Sequence, residues 1–122
     1  MSISVRVFDS TTGRPVPDLA ISLCAQEHGV WPCVARARTD GEGRAGWSGP
    51  RRLPRGVYRL VFATAEYFRE QGTEALHTEV ILSVRYAGDS SDLHIPLFLS
   101  ACSYSTHSGS PTITAGAAAH RN

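Results

Sequence analysis

Apolar and polar residues alternate along most of this chain. In Ile3-Ser4-Val5-Arg6-Val7-Phe8, Ile3, Val5 and Val7 share one face and Ser4, Arg6 and Phe8 the other, because side chains of an extended chain repeat every two residues. Asp9-Ser10-Thr11-Thr12-Gly13-Arg14-Pro15 then reads as a turn cluster, since glycine supplies positive φ and proline cannot donate to a ladder. Leu19 to Gln26 and Val34 to Thr39 read as the next strands, joined around Gly29 and Pro32. Asp40-Gly41-Glu42-Gly43 is a hairpin-turn signal.

Gly56 to Phe62 is a further strand, after which Thr64 is placed to cap a short helix running through Gln71 and ended by Gly72. Glu79 to Tyr86 alternates with Val80, Leu82, Val84 and Tyr86 on one face. In the late strand Leu93, Ile95, Leu97 and Leu99 form the apolar face, which puts His94, Pro96 and Phe98 opposite. Tyr104 to Thr106 adds a last short strand. Seven or eight short strands with one helix predict an all-β sandwich of two antiparallel sheets over residues 1–110. Residues 111–122 contain Ala-Gly-Ala-Ala-Ala, offer little to bury and are expected to form a flexible tail.

The length of 122 residues bounds the chain to one core. With 42% hydrophobic and 19% charged residues the composition is that of a globular domain, not a disordered one. A net charge of +1, with no basic run longer than Arg51-Arg52, argues against a nucleic-acid partner. No apolar stretch approaches the roughly 20 residues that span a bilayer, and the N-terminus shows no secretory pattern, so a cytoplasmic, non-membrane protein is expected. Cys24, Cys33 and Cys102 lack metal-ligand spacing, and there is no Cys-x-x-Cys or HExxH pattern, so no metal is expected. Cys24 and Cys33 could face each other across a hairpin, although a cytosolic location would keep them reduced. Gly41-Glu42-Gly43 is a turn rather than a phosphate loop, and no GxSxG elbow surrounds Ser110. Acid–base chemistry with water, without metal or cofactor, is what these motifs leave.

Several local patterns, in order, resemble the transthyretin-like family, specifically its enzymatic branch, 5-hydroxyisourate hydrolase. Ser4-Val5-Arg6-Val7-Phe8-Asp9 followed by Thr12-Gly13-Arg14-Pro15 resembles the family's first strand and TGxP turn. Thr39 to Arg44 resembles its threonine-to-arginine hairpin, and Tyr58 to Phe62 followed by Glu66-Tyr67-Phe68 its strand-to-helix passage. His94-Ile95-Pro96-Leu97-Phe98-Leu99-Ser100 is similar to the HVPLLLS strand, and Tyr104 to Ser110 sits where the family ends in YSTYRGS. The resemblance covers about Ile3 to Ser110 and implies a transthyretin-like (prealbumin-like) sandwich.

By the same resemblance, a first-strand histidine, an arginine after the hairpin, the HVPL histidine and the YRGS residues line the family's pocket. Arg44, His94, Gly109 and Ser110 match these positions, whereas Arg6 replaces the first-strand histidine, His107 the tyrosine and Ser108 the arginine. His94 is the leading candidate for proton transfer. Arg44 is suited to polarising a carbonyl or holding an oxyanion. Arg6 cannot act as a base, because guanidinium stays protonated, but it can hold an anion. His107 could restore the missing acid–base group, and Arg6, Ser108, Gly109 and Ser110 are expected to bind substrate. His77 is a weaker candidate, at the place of the family's FFPE segment.

These residues imply a diverged hydroxyisourate-hydrolase-like enzyme. Its expected chemistry is metal-free acid–base opening, closure or rearrangement of a small carbonyl-containing heterocycle in specialised metabolism. One alternative is a genuine 5-hydroxyisourate hydrolase of purine catabolism. Another is a non-catalytic small-molecule carrier like transthyretin. Retention of Arg44, His94 and Gly109-Ser110 favours catalysis, and loss of the first-strand histidine favours the carrier. The resemblance also implies a homotetramer, a dimer of dimers with sites at the dimer–dimer interface.

Overall fold

The computed structural model describes residues 2–47, 53–87, 92–101, 103–107 and 112–116. Ten strands and one helix follow in order: β1 Ser2–Asp9, β2 Arg14–Pro15, β3 Ala20–Ala25, β4 Cys33–Arg38, β5 Arg44–Trp47, β6 Gly56–Phe62, α1 Thr64–Glu70, β7 Val80–Tyr86, β8 Asp92–Leu99, β9 Ser103–His107 and β10 Thr112–Gly116. One sheet has the order β10-β9-β8-β1-β2, with β5 also pairing β1; the other has the order β4-β3-β6-β7. This is the all-β sandwich with one short helix that the alternation predicts.

The core lies between the sheets. Ile3, Val5 and Val7 of β1 and Ile95, Leu97 and Leu99 of β8 meet Ile21, Leu23, Leu60 and Phe62 of the second sheet, all buried. Leu93 is half-buried and packs against this cluster. Truncating such a side chain to alanine typically costs about 2–5 kcal/mol. Arg6 and His94 both stay outside the core, as the alternation requires.

Four details differ from the sequence-based expectation. First, β1 and β8 pair in parallel, with Ser4 beside His94, Arg6 beside Pro96 and Phe8 beside Phe98. These strands are joined through the whole body of the chain, so no hairpin forces them antiparallel. Second, Thr64 does not cap α1. Ala63 occupies that position without a side-chain bond, and Thr64 Oγ1 instead meets His77 Nδ1 at 3.1 Å. Third, the turn cluster contains a short strand, since Phe8 and Asp9 pair with Pro15 and Arg14. Fourth, Thr112–Gly116, placed by composition in the tail, pairs antiparallel with Ser103–His107. The β-branched Thr-Ile-Thr run suits that pairing better than the alanines that follow it.

The hairpin between β4 and β5 rests directly on β1. Val7 donates its N–H to the Gly43 carbonyl at 2.9 Å, and Gly43 has φ +78°. A Cβ there would lie 2.5 Å from the Val7 carbonyl oxygen. Gly43→Ala is therefore expected to cost about 2 kcal/mol or more, because strained backbone and collision add. Gly41, with open space around it, should tolerate alanine within about 0.5 kcal/mol. Urea unfolding midpoints of the two variants test the difference; equal midpoints would show that the hairpin can lift off β1.

Candidate functional site

The parallel register of β1 and β8 assembles a polar row on the outer face of the first sheet. Ser4 and His94 are register partners, and Ser4 Oγ lies 2.9 Å from His94 Nδ1. His94 itself is exposed. Among the described residues β8 pairs with β9 from Leu97 to Leu99. Pro96 has no N–H to donate. The Pro96 carbonyl accepts from Thr106 Oγ1 at 2.6 Å. His94 lies beside β1 as the register partner of Ser4.

On the other side of β1, Arg6 pairs with Arg44 of β5. Directly opposed like charges repel, and the hairpin tip supplies the compensation. Arg6 donates from Nε to the Glu42 carbonyl at 3.1 Å and reaches Glu42 Oε1 at 3.4 Å. Its guanidinium also lies 4.7 Å from the centre of the Phe8 ring, which stacks on Phe98 at 5.4 Å. Arg6 is therefore tied into a row of hairpin carboxylate and aromatic rings. Asp40 Oδ1 accepts the N–H groups of Glu42 at 2.8 Å and Arg44 at 3.0 Å. Those two bonds, aided by the nearby Arg44 and Arg6 charges, hold the Asp40 carboxyl below its ordinary range.

Arg44 and His94 consequently flank β1 on the same face, with Ser4 and Arg6 between them. Two strand spacings and a two-residue offset along β1 separate them by roughly 12 Å, room for a small heterocycle with a proton-transfer group at one end and a cation at the other. His107 ends β9 one residue beyond the Leu97–Thr106 pair and is the register partner of Thr112. Ser108, Gly109 and Ser110 lie outside the described residues. Single-chain clefts of about 410 and 590 Å³ occur elsewhere, beside His77 and beside Asp18 and Tyr67.

His77 belongs to a different part of the fold. Its Nε2 lies 3.1 Å from the Ser100 carbonyl, which can only accept, so Nε2 carries a proton, and Nδ1 lies 3.1 Å from Thr64 Oγ1. Phe68 and Tyr104 rings pack edge-on against it. His77 thus ties the helix entrance to the end of β8. The residues that sequence reasoning missed are Ser4, Asp40 and Glu42. Alternation places Ser4 on the His94 face, but only the parallel register makes it a partner.

Residues 3–109 match the family model described as Transthyretin: HIUase/Transthyretin family. A protein of Salmonella dublin named 5-hydroxyisourate hydrolase is 31% identical over 110 residues, covering 88% of this chain and 80% of that one. The solved structure of Klebsiella pneumoniae 5-hydroxyisourate hydrolase superposes with a TM-score of 0.76 at 26% identity, covering 90% of this chain and 100% of the other. Transthyretin from Sparus aurata shares the fold, with a TM-score of 0.80 at 24% identity over 93% of this chain and 97% of its own.

The Asp40 geometry fixes a pH dependence. A carboxyl whose folded pKa is depressed contributes stability in full above its unfolded value and loses it as pH falls through the folded value. The hairpin bonds should therefore persist at pH 4, near the unfolded value of about 3.9, and release only below it. Amide shifts of Glu42 and Arg44 through an acid titration check this. Release well above pH 4 would contradict it.

Proposed function

The chain belongs to the HIUase/Transthyretin family, and on that premise we propose that it is a diverged hydroxyisourate-hydrolase-like enzyme acting on a small, carbonyl-containing heterocycle. The observation that carries this reading is the 2.9 Å contact between Ser4 Oγ and His94 Nδ1 on an exposed strand face. It engages one ring nitrogen and leaves Nε2 to exchange a proton with water or substrate. In the hydrolytic direction His94 takes a proton from water, and the resulting hydroxide adds to the carbonyl carbon. Arg44 stabilises the oxyanion. The ring C–N bond then breaks, and the nitrogen leaves with the proton returned by His94. The same groups, run in reverse or on a related scaffold, would close or rearrange a ring in specialised metabolism.

Arg6 has a narrower role in this scheme than a free cation would have. Glu42 and Phe8 hold its guanidinium at the hairpin end of the face, where it bounds the substrate and screens the charge of Glu42. His107 is proposed as a second acid–base group, and Ser108, Gly109 and Ser110 as substrate contacts, by their match to the family's terminal motif. We further propose a homotetramer in which this open face is closed by a second dimer, and a cytoplasmic location. Among the described residues no helix is long and apolar enough to cross a membrane.

The names of the relatives favour a second reading, hydrolysis of 5-hydroxyisourate itself. The assay separates the two. Because Arg6 cannot accept a proton and Ser108 carries no charge, turnover of freshly generated 5-hydroxyisourate is expected to fall about 10²–10⁴ below that of an intact family member. Equal rates would establish the second reading instead.

On whichever substrate is turned over, His94→Ala should lose activity by a similar factor while its unfolding midpoint stays close to that of the wild type. His107→Ala should lose comparably and change the pH profile if it supplies the second proton-transfer group, and should change little otherwise. Full activity of His94→Ala would remove the catalytic assignment. Tight ligand binding without turnover in the wild type would mark a carrier.

A further inference from the structure

The outer face of the second sheet carries a pair of thiols that the proposed reaction does not use. Cys24 of β3 and Cys33 of β4 are register partners, and both are free thiols. They become partners through a β-bulge. The β3–β4 register runs regularly from Ala20–Arg38 to Leu23–Ala35, then shifts by one so that Cys24 meets Cys33 and Val34 is the extra residue. Ala35 pairs with the buried Leu23, so plain alternation would turn residue 33 towards the inside. The bulge re-aims it to the outer face beside Cys24, which is how bulges elsewhere redirect side chains.

The backbone around the pair suits a cross-link. Ala25 donates its N–H across to Pro32 of the β4 side, while Gln26 donates to Val57 at the end of β6. Alternation along β3 therefore turns the Cys24 peptide groups towards β6 and makes Cys24–Cys33 a non-hydrogen-bonded pair. Such pairs have the closer side chains, with Cα atoms about 4.5 Å apart, inside the range of about 4.4–6.8 Å that a disulfide spans. Cys33 is exposed and donates weakly to the Ala35 carbonyl at 3.4 Å. Arg36 and Arg59 stand beside the pair, and the Arg59 guanidinium is held 4.0 Å over the Trp31 ring.

We propose that Cys24 and Cys33 form a reversible dithiol–disulfide site, oxidised by an anionic small-molecule disulfide that the flanking arginines attract. Cys33, the exposed thiol, reacts first. Its thiolate attacks one sulfur of the small disulfide, forms a mixed disulfide and releases one small thiolate. The Cys24 thiolate then attacks the Cys33 sulfur, forms the Cys24–Cys33 bond and expels the second small thiolate. The two protons lost by the cysteines go to the two released thiolates; the protein is oxidised by two electrons and the small disulfide is reduced by two. Burial and the adjacent Cys33 push the Cys24 thiol up, while Arg36 and Arg59 pull it down, which suits Cys24 to the resolving step. The bond would fasten β4, the edge strand of its sheet, to β3 and close the loop that carries Trp31.

The test uses the full chain with Cys102→Ser as background, incubated with excess oxidised glutathione at mildly alkaline pH and quenched with acid. Mass spectrometry should show a single chain, not covalently joined to another, that has lost two hydrogen atoms, and peptide mapping should find Cys24 and Cys33 linked. Dithiothreitol should restore two alkylatable thiols. Closing the loop should also raise Tm by about 4 °C or more. Cys24→Ser should stop at a glutathione adduct on Cys33, since it lacks the resolving thiol. The proposal is overturned if both thiols stay alkylatable, if the double-thiol protein itself stops at the adduct, or if the disulfide forms between chains.

Discussion

The parallel pairing of β1 with β8 is the constraint on which the rest of this molecule depends. Eight register pairs, from Ser2–Asp92 to Asp9–Leu99, join strands that stand at opposite ends of the main sequence body. Side chains repeat every two residues, so this register places Ile3, Val5, Val7, Ile95, Leu97 and Leu99 in one buried layer. It simultaneously presents Ser4, Arg6, Phe8, His94, Pro96 and Phe98 as the opposite face. A slip of one residue would bury His94 against the second sheet and expose the core. Hydrophobic burial thus holds the polar face in place without any polar group having to stabilise it.

The hairpin of Asp40 to Gly43 sets what that face can do electrostatically. Arg6 and Arg44 stand opposite each other across β1 and β5, an arrangement that costs energy unless carboxylates lie near. Glu42 takes Arg6, while Asp40 organises the turn from which Arg44 emerges. Gly43 allows the turn to lie against the Val7 carbonyl. One short loop therefore fixes two arginines in different states, with Arg6 committed to local contacts and Arg44 left exposed. Arg6 has thereby become part of the hairpin's own support.

The two sheets give the molecule two chemically distinct outer surfaces separated by an apolar layer. The first bears imidazole and guanidinium groups on a face closed on one side by the Phe8–Phe98 stack. The second bears thiols beside arginines at the β3–β4 edge. On the second, an irregularity at the end of a ladder decides the chemistry. The bulge at Val34 brings Cys33 out to meet Cys24.

The sequence by itself determined the period-2 strands, the inward identity of Ile3, Val5, Val7, Ile95 and Leu97, and the outward one of Arg6 and His94. These follow from local alternation, which needs no knowledge of neighbours. The ordered motifs from Thr12-Gly13-Arg14-Pro15 to the HIPLFLS strand were likewise legible, because a family likeness is carried by residue identity. Only the tertiary structure decided that β1 meets β8 in parallel, and so that Ser4 serves His94. Pairing between distant strands is set by how the whole core closes, which no local window contains. The same reason hid the capture of Arg6 by Glu42, the engagement of Thr64 by His77 in place of a helix cap, and the extra residue at Val34. Each depends on a partner strand or loop whose position is fixed by packing, not by the spacing of residues along the chain.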